Sequence, residues 1–114
     1  MIESVRPSEL GAWLAACAKR RPVVLDVREP WEVQTASLGD LPGAELVCIP
    51  MGQVVQQLAM LDPERPTACL CHHGARSLRV AHFLLQQGFA QVANIDGGIH
   101  AWSLECDQSV PTYS

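Results

Sequence analysis

Apolar residues follow two different spacings along the chain, and the alternation of these spacings predicts helices and strands in turn. Leu10, Trp13, Leu14 and Cys17 recur every three or four residues, which is typical of one buried face of an α-helix. Residues 23–27 instead form a short, branched apolar run, which is typical of a buried strand. The first part of the chain therefore predicts a helix that leads into a strand.

The same alternation continues through the rest of the chain. Further strands are predicted at residues 46–49, 67–71 and 91–95. Helices are predicted from residue 30, over the apolar positions 54, 55, 58 and 61, over the apolar positions 80, 81, 84 and 85, and after residue 98, with turn residues at 38–43. Strands that alternate with helices predict an α/β fold in which a parallel sheet carries helices on both faces.

Length and composition limit the classes of protein to which this chain can belong. For 114 residues we expect one domain, at residues 4–104, and a short polar tail at residues 105–114. Hydrophobic residues make up 48% of the chain and charged residues 18%, a balance that excludes a wholly disordered protein. The formal net charge is −4 without a basic stripe, so nucleic acid is not an expected partner. No apolar run is long enough to span a membrane, and no secretion signal is visible.

The cysteine content indicates a reducing environment. There are five cysteines, and an odd number without a secretion signal predicts reduced thiols and a cytoplasmic location. Cys17 and Cys48 lie on apolar elements and are predicted to be buried, whereas Cys106 lies in the tail and is predicted to be exposed. At least one of the five is therefore a candidate for a reactive thiol.

One segment combines the residue types that an activated thiol needs. Cys71 follows a predicted buried strand, and a helix is predicted to begin a few residues later, where unpaired N–H groups favour the thiolate form. Gly74 lets the intervening backbone curl so that N–H groups converge on an anion. Arg76 adds a planar fork of donors that suits an oxyanion. The segment predicts a cysteine nucleophile at an anion site, against the alternative of a buried structural cysteine.

The histidines beside Cys71 raise the possibility of a metal site. Cys69 and Cys71 lie two residues apart on a predicted strand, and His72 and His73 follow. Tetrahedral zinc sites usually pair their ligands at a wider spacing, and Cys69 is predicted to be core, so we expect no metal here. His72 and His73 either tune the nucleophile and contact an anionic donor, or face solvent as loop side chains.

Four motifs, in their order along the chain, resemble those of a single-domain rhodanese. They lie at residues 25–32 (Leu-Asp-Val-Arg-Glu-Pro-Trp-Glu), 42–50, 71–77 (Cys-His-His-Gly-Ala-Arg-Ser) and 96–102 (Asp-Gly-Gly-Ile-His-Ala-Trp). The resemblance implies a three-layer fold with a five-stranded parallel sheet flanked by helices, including a short strand near residues 4–6. It also implies a sulfurtransferase in which Cys71 carries a persulfide.

The resemblance also implies roles for the residues around Cys71. The substrate cradle would be formed by His72, His73, Gly74, Ala75, Arg76 and Ser77. Asp26 and Arg28 end a strand at the same edge of the sheet, where we expect them to brace the pocket, and Arg28 is also a candidate for binding the donor. Gly97 and Gly98 are expected to shape the turn and helix entry at the pocket rim.

The implied reaction needs no metal or organic cofactor. The expected partners are a small anionic sulfur donor such as thiosulfate, a thiol or cyanide acceptor, and proteins of a sulfur relay. One alternative is a rhodanese-like interaction module without activity, although Cys71, Gly74 and Arg76 are all present. Another is a phosphatase or an arsenate reductase, which resemble this fold but have one residue more between the cysteine and the arginine of the loop.

Overall fold

The computed structural model describes residues 1–39 and 41–114, and within them it contains five strands and four α-helices. In chain order they are β1 (Ile2–Val5), α1 (Pro7–Ala16), β2 (Val23–Asp26), α2 (Pro30–Thr35), β3 (Glu45–Cys48), β4 (Thr67–Leu70), α3 (Ala75–Gln86), β5 (Val92–Ile95) and α4 (Gly98–Glu105). Asp40, in the predicted turn at residues 38–43, lies outside the described residues. Across the described ranges, every helix is too short or too polar to cross a bilayer.

The strands form one parallel sheet in the order β1-β5-β4-β2-β3. This confirms the expected five-stranded parallel sheet and the expected strand at the amino terminus. Every residue of β2, β4 and β5 is buried, whereas the edge strands β1 and β3 are partly exposed. The central strands read as continuous apolar runs in the sequence because helices cover both faces of a parallel sheet.

Successive residues of the central strands contribute to two separate cores. Val24 and Ala68 pack with α1 and α4 on one face, whereas Leu25 and Cys69 pack with α3 on the other. This division follows from the pleat, because neighbouring side chains of a strand point to opposite faces. The three-layer arrangement of helix, sheet and helix is thereby complete.

The amphipathic helix predicted over positions 54–61 does not form. The chain makes short 3₁₀ turns at Met51–Gln53 and Leu58–Met60 instead. Val54 and Leu61 still reach the core, but Val55 is exposed. Gly52 and the two adjacent β-branched valines favour an α-helix only weakly. The backbone here is therefore determined by the burial of Val54 and Leu61.

Cys48 is exposed, and the prediction that it is buried is wrong. It lies on β3, opposite Asp26 of β2, and β3 is the last strand of the sheet. An edge strand has a neighbour on one side only, so an apolar run there does not guarantee that every side chain is covered.

The predicted end of α3 at Gly88 is confirmed in detail. The N–H of Gly88 donates to the carbonyl of Leu85 at 3.1 Å, and the N–H of Phe89 donates to the carbonyl of Leu84 at 3.1 Å. These two bonds define a Schellman motif, which needs a left-handed residue after the helix. Gly88 has φ +90°, which costs glycine little and other residues more.

We predict opposite effects on stability for alanine at two glycines. Gly88→Ala should lower the free energy of unfolding by about 1 kcal/mol, because alanine is strained in the left-handed region. Gly11→Ala should raise it by about 0.5–1 kcal/mol, because Gly11 is exposed inside α1 with open space around its Cα. Urea denaturation of both variants measures the two changes. Changes of the same sign in both variants would contradict the left-handed conformation of Gly88 or the helical position of Gly11.

Candidate functional site

Cys71 occupies the start of a tight loop between β4 and α3. Its side chain is buried, with 1% of the residue exposed, and the N–H of Gly74 donates to its Sγ at 3.0 Å. Gly74 reaches this position with φ +108°, and a Cβ there would press on the backbone N of Gly97. The loop therefore requires glycine at this position in order to aim an N–H at the sulfur.

The first turn of α3 supplies further donors on the same side. In the described part of the chain, the N–H groups of Ala75, Arg76 and Ser77 have no protein acceptor. Unpaired N–H groups of this kind, together with the positive end of the helix dipole, favour a negative charge at a helix start. A thiolate or persulfide at Cys71 would lie where these donors can stabilise it.

The start of α4 docks directly onto the loop backbone. The N–H of Ile99 donates to the carbonyl of Cys71 at 2.9 Å, and the N–H of His100 donates to the carbonyl of His72 at 3.0 Å. A Cβ on Gly98 would overlap both of these carbonyls. Gly97 is constrained as well, because a Cβ there would overlap Ala101. The supporting role expected for both glycines agrees with this packing.

Ser77 supports the loop from beneath with its hydroxyl. It is fully buried, and its hydroxyl lies 2.5 Å from Oδ1 of Asn94 and 3.2 Å from the carbonyl of Gly74. Nδ2 of Asn94 also donates to the Gly74 carbonyl at 3.2 Å. Ser77 is expected in the substrate cradle, and with its hydroxyl engaged in this way its backbone N–H is the group left to contact a substrate.

Arg76 forms a two-pronged ion pair with Glu32 at the start of α2. Its Nη1 and Nη2 donate to Oε2 and Oε1 of Glu32, each at 2.7 Å. These bonds lower the pKa of the buried Glu32 carboxyl to about 2 and raise the pKa of Arg76. The guanidinium is therefore engaged by the protein and neutralised, which differs from the free oxyanion fork expected from the sequence.

Arg28 is buried, with 1% of the residue exposed, and all of its donor groups are engaged within the protein. Nε and Nη2 donate to the carboxylate of Asp26 at 2.9 Å and 2.7 Å. Nη1 donates to the carbonyl of Glu32 and to the hydroxyl of Tyr113. The bracing ion pair expected of Asp26 and Arg28 is present, and a role of Arg28 in binding the donor does not agree with its burial.

The histidines of the loop meet the carboxyl-terminal segment and α4. The ring of Tyr113 stacks on His72 with centroids 3.9 Å apart and planes 8° apart. His73 is exposed beside His72, with ring centroids 3.9 Å apart, and the His100 ring lies 4.9 Å from that of His73. Burial lowers the pKa of His72, and the neighbouring His73 adds to the effect.

The other cysteines are less suited to act as nucleophiles. Burial raises the pKa of Cys69 to about 12, and burial is also the main cause of the raised pKa values of Cys17, Cys48 and Cys106. Cys71 is the cysteine whose sulfur receives a backbone N–H. The arrangement supports nucleophilic chemistry at Cys71.

Four residues of the site were missed by the sequence reasoning. Glu32, Asn94 and His100 lie on three different elements and meet the loop only in the fold, and Tyr113 lies in the segment expected to be a polar tail. Only Glu32 had a local signal, because its side chain accepts the N–H of Glu29 at 2.8 Å, a capping contact that a glutamate at the third helical position predicts.

The sequence matches the family described as Rhodanese-like domain over residues 7–105. A chloroplastic protein of Arabidopsis thaliana, rhodanese-like/PpiC domain-containing protein 12, is 45% identical over 94 residues. That match covers 79% of this chain and 30% of the relative, so the chain spans less than a third of the relative's length.

Solved structures share the fold. A rhodanese-like domain protein from Staphylococcus aureus has a TM-score of 0.74 and 25% identity, with 99% of this chain and 100% of that chain covered. The polysulfide-sulfur transferase homodimer from Wolinella succinogenes has a TM-score of 0.72 and 24% identity, with 98% and 78% covered. Because its sequence identity is only 24%, the Wolinella succinogenes structure shows a shared fold alone.

We predict that Glu32→Gln makes stability less dependent on pH. The folded-state pKa of Glu32 is about 2 against an ordinary value of 4.5, so ionised Glu32 stabilises the fold above pH 4.5. This stabilisation, about 3 kcal/mol, is lost as the pH falls from 4.5 to 2. Glu32→Gln should therefore be about 3 kcal/mol less stable than the wild type at pH 7, and the gap should close over that range.

Chemical denaturation at a series of pH values measures this gap. The exposed Glu64 provides the control, and Glu64→Gln should change stability by less than about 0.5 kcal/mol at every pH. A Glu32→Gln curve that runs parallel to the wild-type curve down to pH 2 would show that the ion pair with Arg76 does not hold the loop.

Proposed function

The chain belongs to the rhodanese-like domain family, and we propose that it is a sulfurtransferase that carries a sulfane sulfur on Cys71. The observation that carries the proposal is the 3.0 Å contact from the Gly74 N–H to the Cys71 sulfur, at a helix start with further unpaired N–H groups. A group that lies among such donors is stabilised as an anion, and the thiolate is the nucleophilic form of cysteine.

In the first step, the Cys71 thiolate attacks the outer sulfur of thiosulfate or a related donor. A sulfur–sulfur bond forms at Cys71 as the donor's own sulfur–sulfur bond breaks. The electron pair of the broken bond leaves with sulfite when thiosulfate is the donor. The product is an anionic persulfide, whose terminal sulfur the N–H groups of Gly74 and the first turn of α3 would stabilise.

In the second step, a thiolate or cyanide attacks the outer sulfur of the persulfide. The Cys71 sulfur leaves as a thiolate, and the acceptor departs as a persulfide or as thiocyanate. Because the protein is modified between the two steps, this scheme gives ping-pong kinetics. Neither step requires a group beyond the side chain and the backbone of the loop.

The dimensions and charge of the loop favour a sulfur on the cysteine over a larger oxyanion. Four residues separate Cys71 from Arg76, one fewer than in the related phosphatases and arsenate reductases. The charge of Arg76 is neutralised by Glu32. Recognition of the donor therefore falls mainly to backbone N–H groups, which suits thiosulfate and also persulfides of other molecules, including proteins of a sulfur relay.

A reducing compartment such as the cytoplasm fits this mechanism, since all five cysteines are free thiols. Another protein with this fold, from Wolinella succinogenes, is named a polysulfide-sulfur transferase, so the fold is compatible with sulfur transfer.

We predict that incubation with thiosulfate adds one sulfur atom to the protein. Intact-mass spectrometry should detect this addition in the wild type, and cyanide should remove it. Cys71→Ser should show none, because serine lacks the nucleophilic sulfur. Cys106→Ser, which removes an exposed thiol near the end of the chain, should load sulfur as the wild type does.

A second donor separates the remaining outcomes. If thiosulfate fails but a low-molecular-weight cysteine persulfide loads Cys71, the sulfurtransferase stands with a persulfide donor. Equal loading of Cys71→Ser and the wild type would move the nucleophile to another cysteine. If neither donor loads the wild type, the domain is an interaction module without sulfurtransferase activity.

A further inference from the structure

Three of the four histidines of this chain meet beside the Cys71 loop. His72 and His73 belong to the loop, and His100 lies in the first turn of α4. One ring nitrogen from each of the three lies within 4.8 Å of the others. The sulfur-transfer scheme uses none of these imidazoles, so their convergence needs its own explanation.

Two ring nitrogens of this cluster are buried without a hydrogen-bond partner among the described residues. They are Nε2 of His72 and Nδ1 of His100. A buried polar atom left unpaired destabilises a fold, so such atoms in a native site point to a ligand that satisfies them. An imidazole nitrogen that carries no proton is a strong ligand for transition-metal ions.

Contacts on two sides already fix part of this cluster. The stacked ring of Tyr113 orients His72, and the bond from the His100 N–H to the His72 carbonyl holds the two backbones together at 3.0 Å. His73 is exposed, which leaves a path of entry from solvent. A site with two held ligands and one exposed ligand is well suited to capture an ion.

We propose that His72, His73 and His100 bind one divalent transition-metal ion of the zinc class through three imidazole nitrogens. Neutral imidazole suits zinc, copper and nickel, whereas calcium and magnesium require oxygen ligands. Three histidines leave a fourth position of a tetrahedral ion open to water or an anion. The site adjoins Cys71 and stands whether or not Cys71 transfers sulfur.

The separation of the nitrogens is compatible with such a site after a small side-chain movement. Metal–nitrogen bonds of about 2.0–2.1 Å in a tetrahedron place two nitrogens about 3.3 Å apart. The three nitrogens lie within 4.8 Å of one another, so each pair has to close by no more than about 1.5 Å, which rotations of the three side chains can supply. Gly98 holds α4, which carries His100, closely against the loop.

This site differs from the cysteine-containing one considered from the sequence. There, Cys69 and Cys71 were the candidate ligands beside His72 and His73, and their spacing argued against a metal. In the fold, Cys69 is fully buried and burial raises its pKa to about 12, whereas His100 joins the two loop histidines. The proposed ligands are therefore three nitrogens, one of which is distant in sequence.

Metal titration of the full chain tests the proposal. Isothermal titration calorimetry with Zn²⁺ should give one ion per chain in the wild type. His73→Ala and His100→Ala should each weaken binding at least about 10-fold, since each removes a ligand. His82→Ala, which removes the fourth histidine from the exposed side of α3, should bind as the wild type does.

Co²⁺ then reports which atoms bind. Nitrogen ligation gives visible absorption bands without the intense near-ultraviolet charge-transfer absorption of a thiolate, and Cys71→Ser should retain the visible bands. Because His73 is exposed, His73→Ala keeps the test valid even if His100→Ala fails to fold. The proposal fails if the wild type binds neither ion, if folded histidine variants bind as the wild type does, or if the signal is thiolate absorption lost in Cys48→Ser or Cys106→Ser.

Discussion

The close docking of α4 onto the Cys71 loop organises the candidate site. Two backbone bonds, from Ile99 to Cys71 and from His100 to His72, hold the loop carbonyls against the helix start. The approach is possible because position 98 carries no side chain, and a Cβ there would overlap both carbonyls. With the carbonyls held in this way, the N–H of Gly74 is available to the sulfur, and the histidines of the loop meet the histidine of α4.

A second constraint is the neutralised arginine of the loop. The pair between Arg76 and Glu32 ties the start of α3 to the start of α2, and the side chain of Glu32 is almost fully buried, with 4% exposed. Removing one partner of such a pair is strongly destabilising, because the other charge is left without its partner and without its hydration. Since the guanidinium charge is balanced by Glu32, the N–H groups of the loop and of the first turn of α3 are the donors left for an anion at Cys71.

Local sequence was sufficient wherever one element or one loop determined the outcome. The strand before Cys71, the helix after it and the glycine between them lie within a few residues, so a tight cysteine loop at a helix start could be predicted from spacing. The segment over positions 54–61 was predicted wrongly, because the apolar spacing of a helix also fits two 3₁₀ turns that bury Val54 and Leu61. In this segment the apolar spacing identified two buried positions, Val54 and Leu61, but neither the backbone between them nor the exposure of Val55.

The sequence predicts the parallel α/β architecture, the position of the Cys71 loop and the glycines that the turns require, because each of these depends on local spacing and backbone freedom. The partners of the charged and aromatic side chains, in contrast, become evident only in the folded chain. Arg76 meets Glu32, Arg28 is enclosed by Asp26 and Tyr113, and His100 joins the loop histidines. Such pairings depend on which elements the order of the strands brings to one edge of the sheet. The spacing of residues along the chain does not show which distant elements become neighbours.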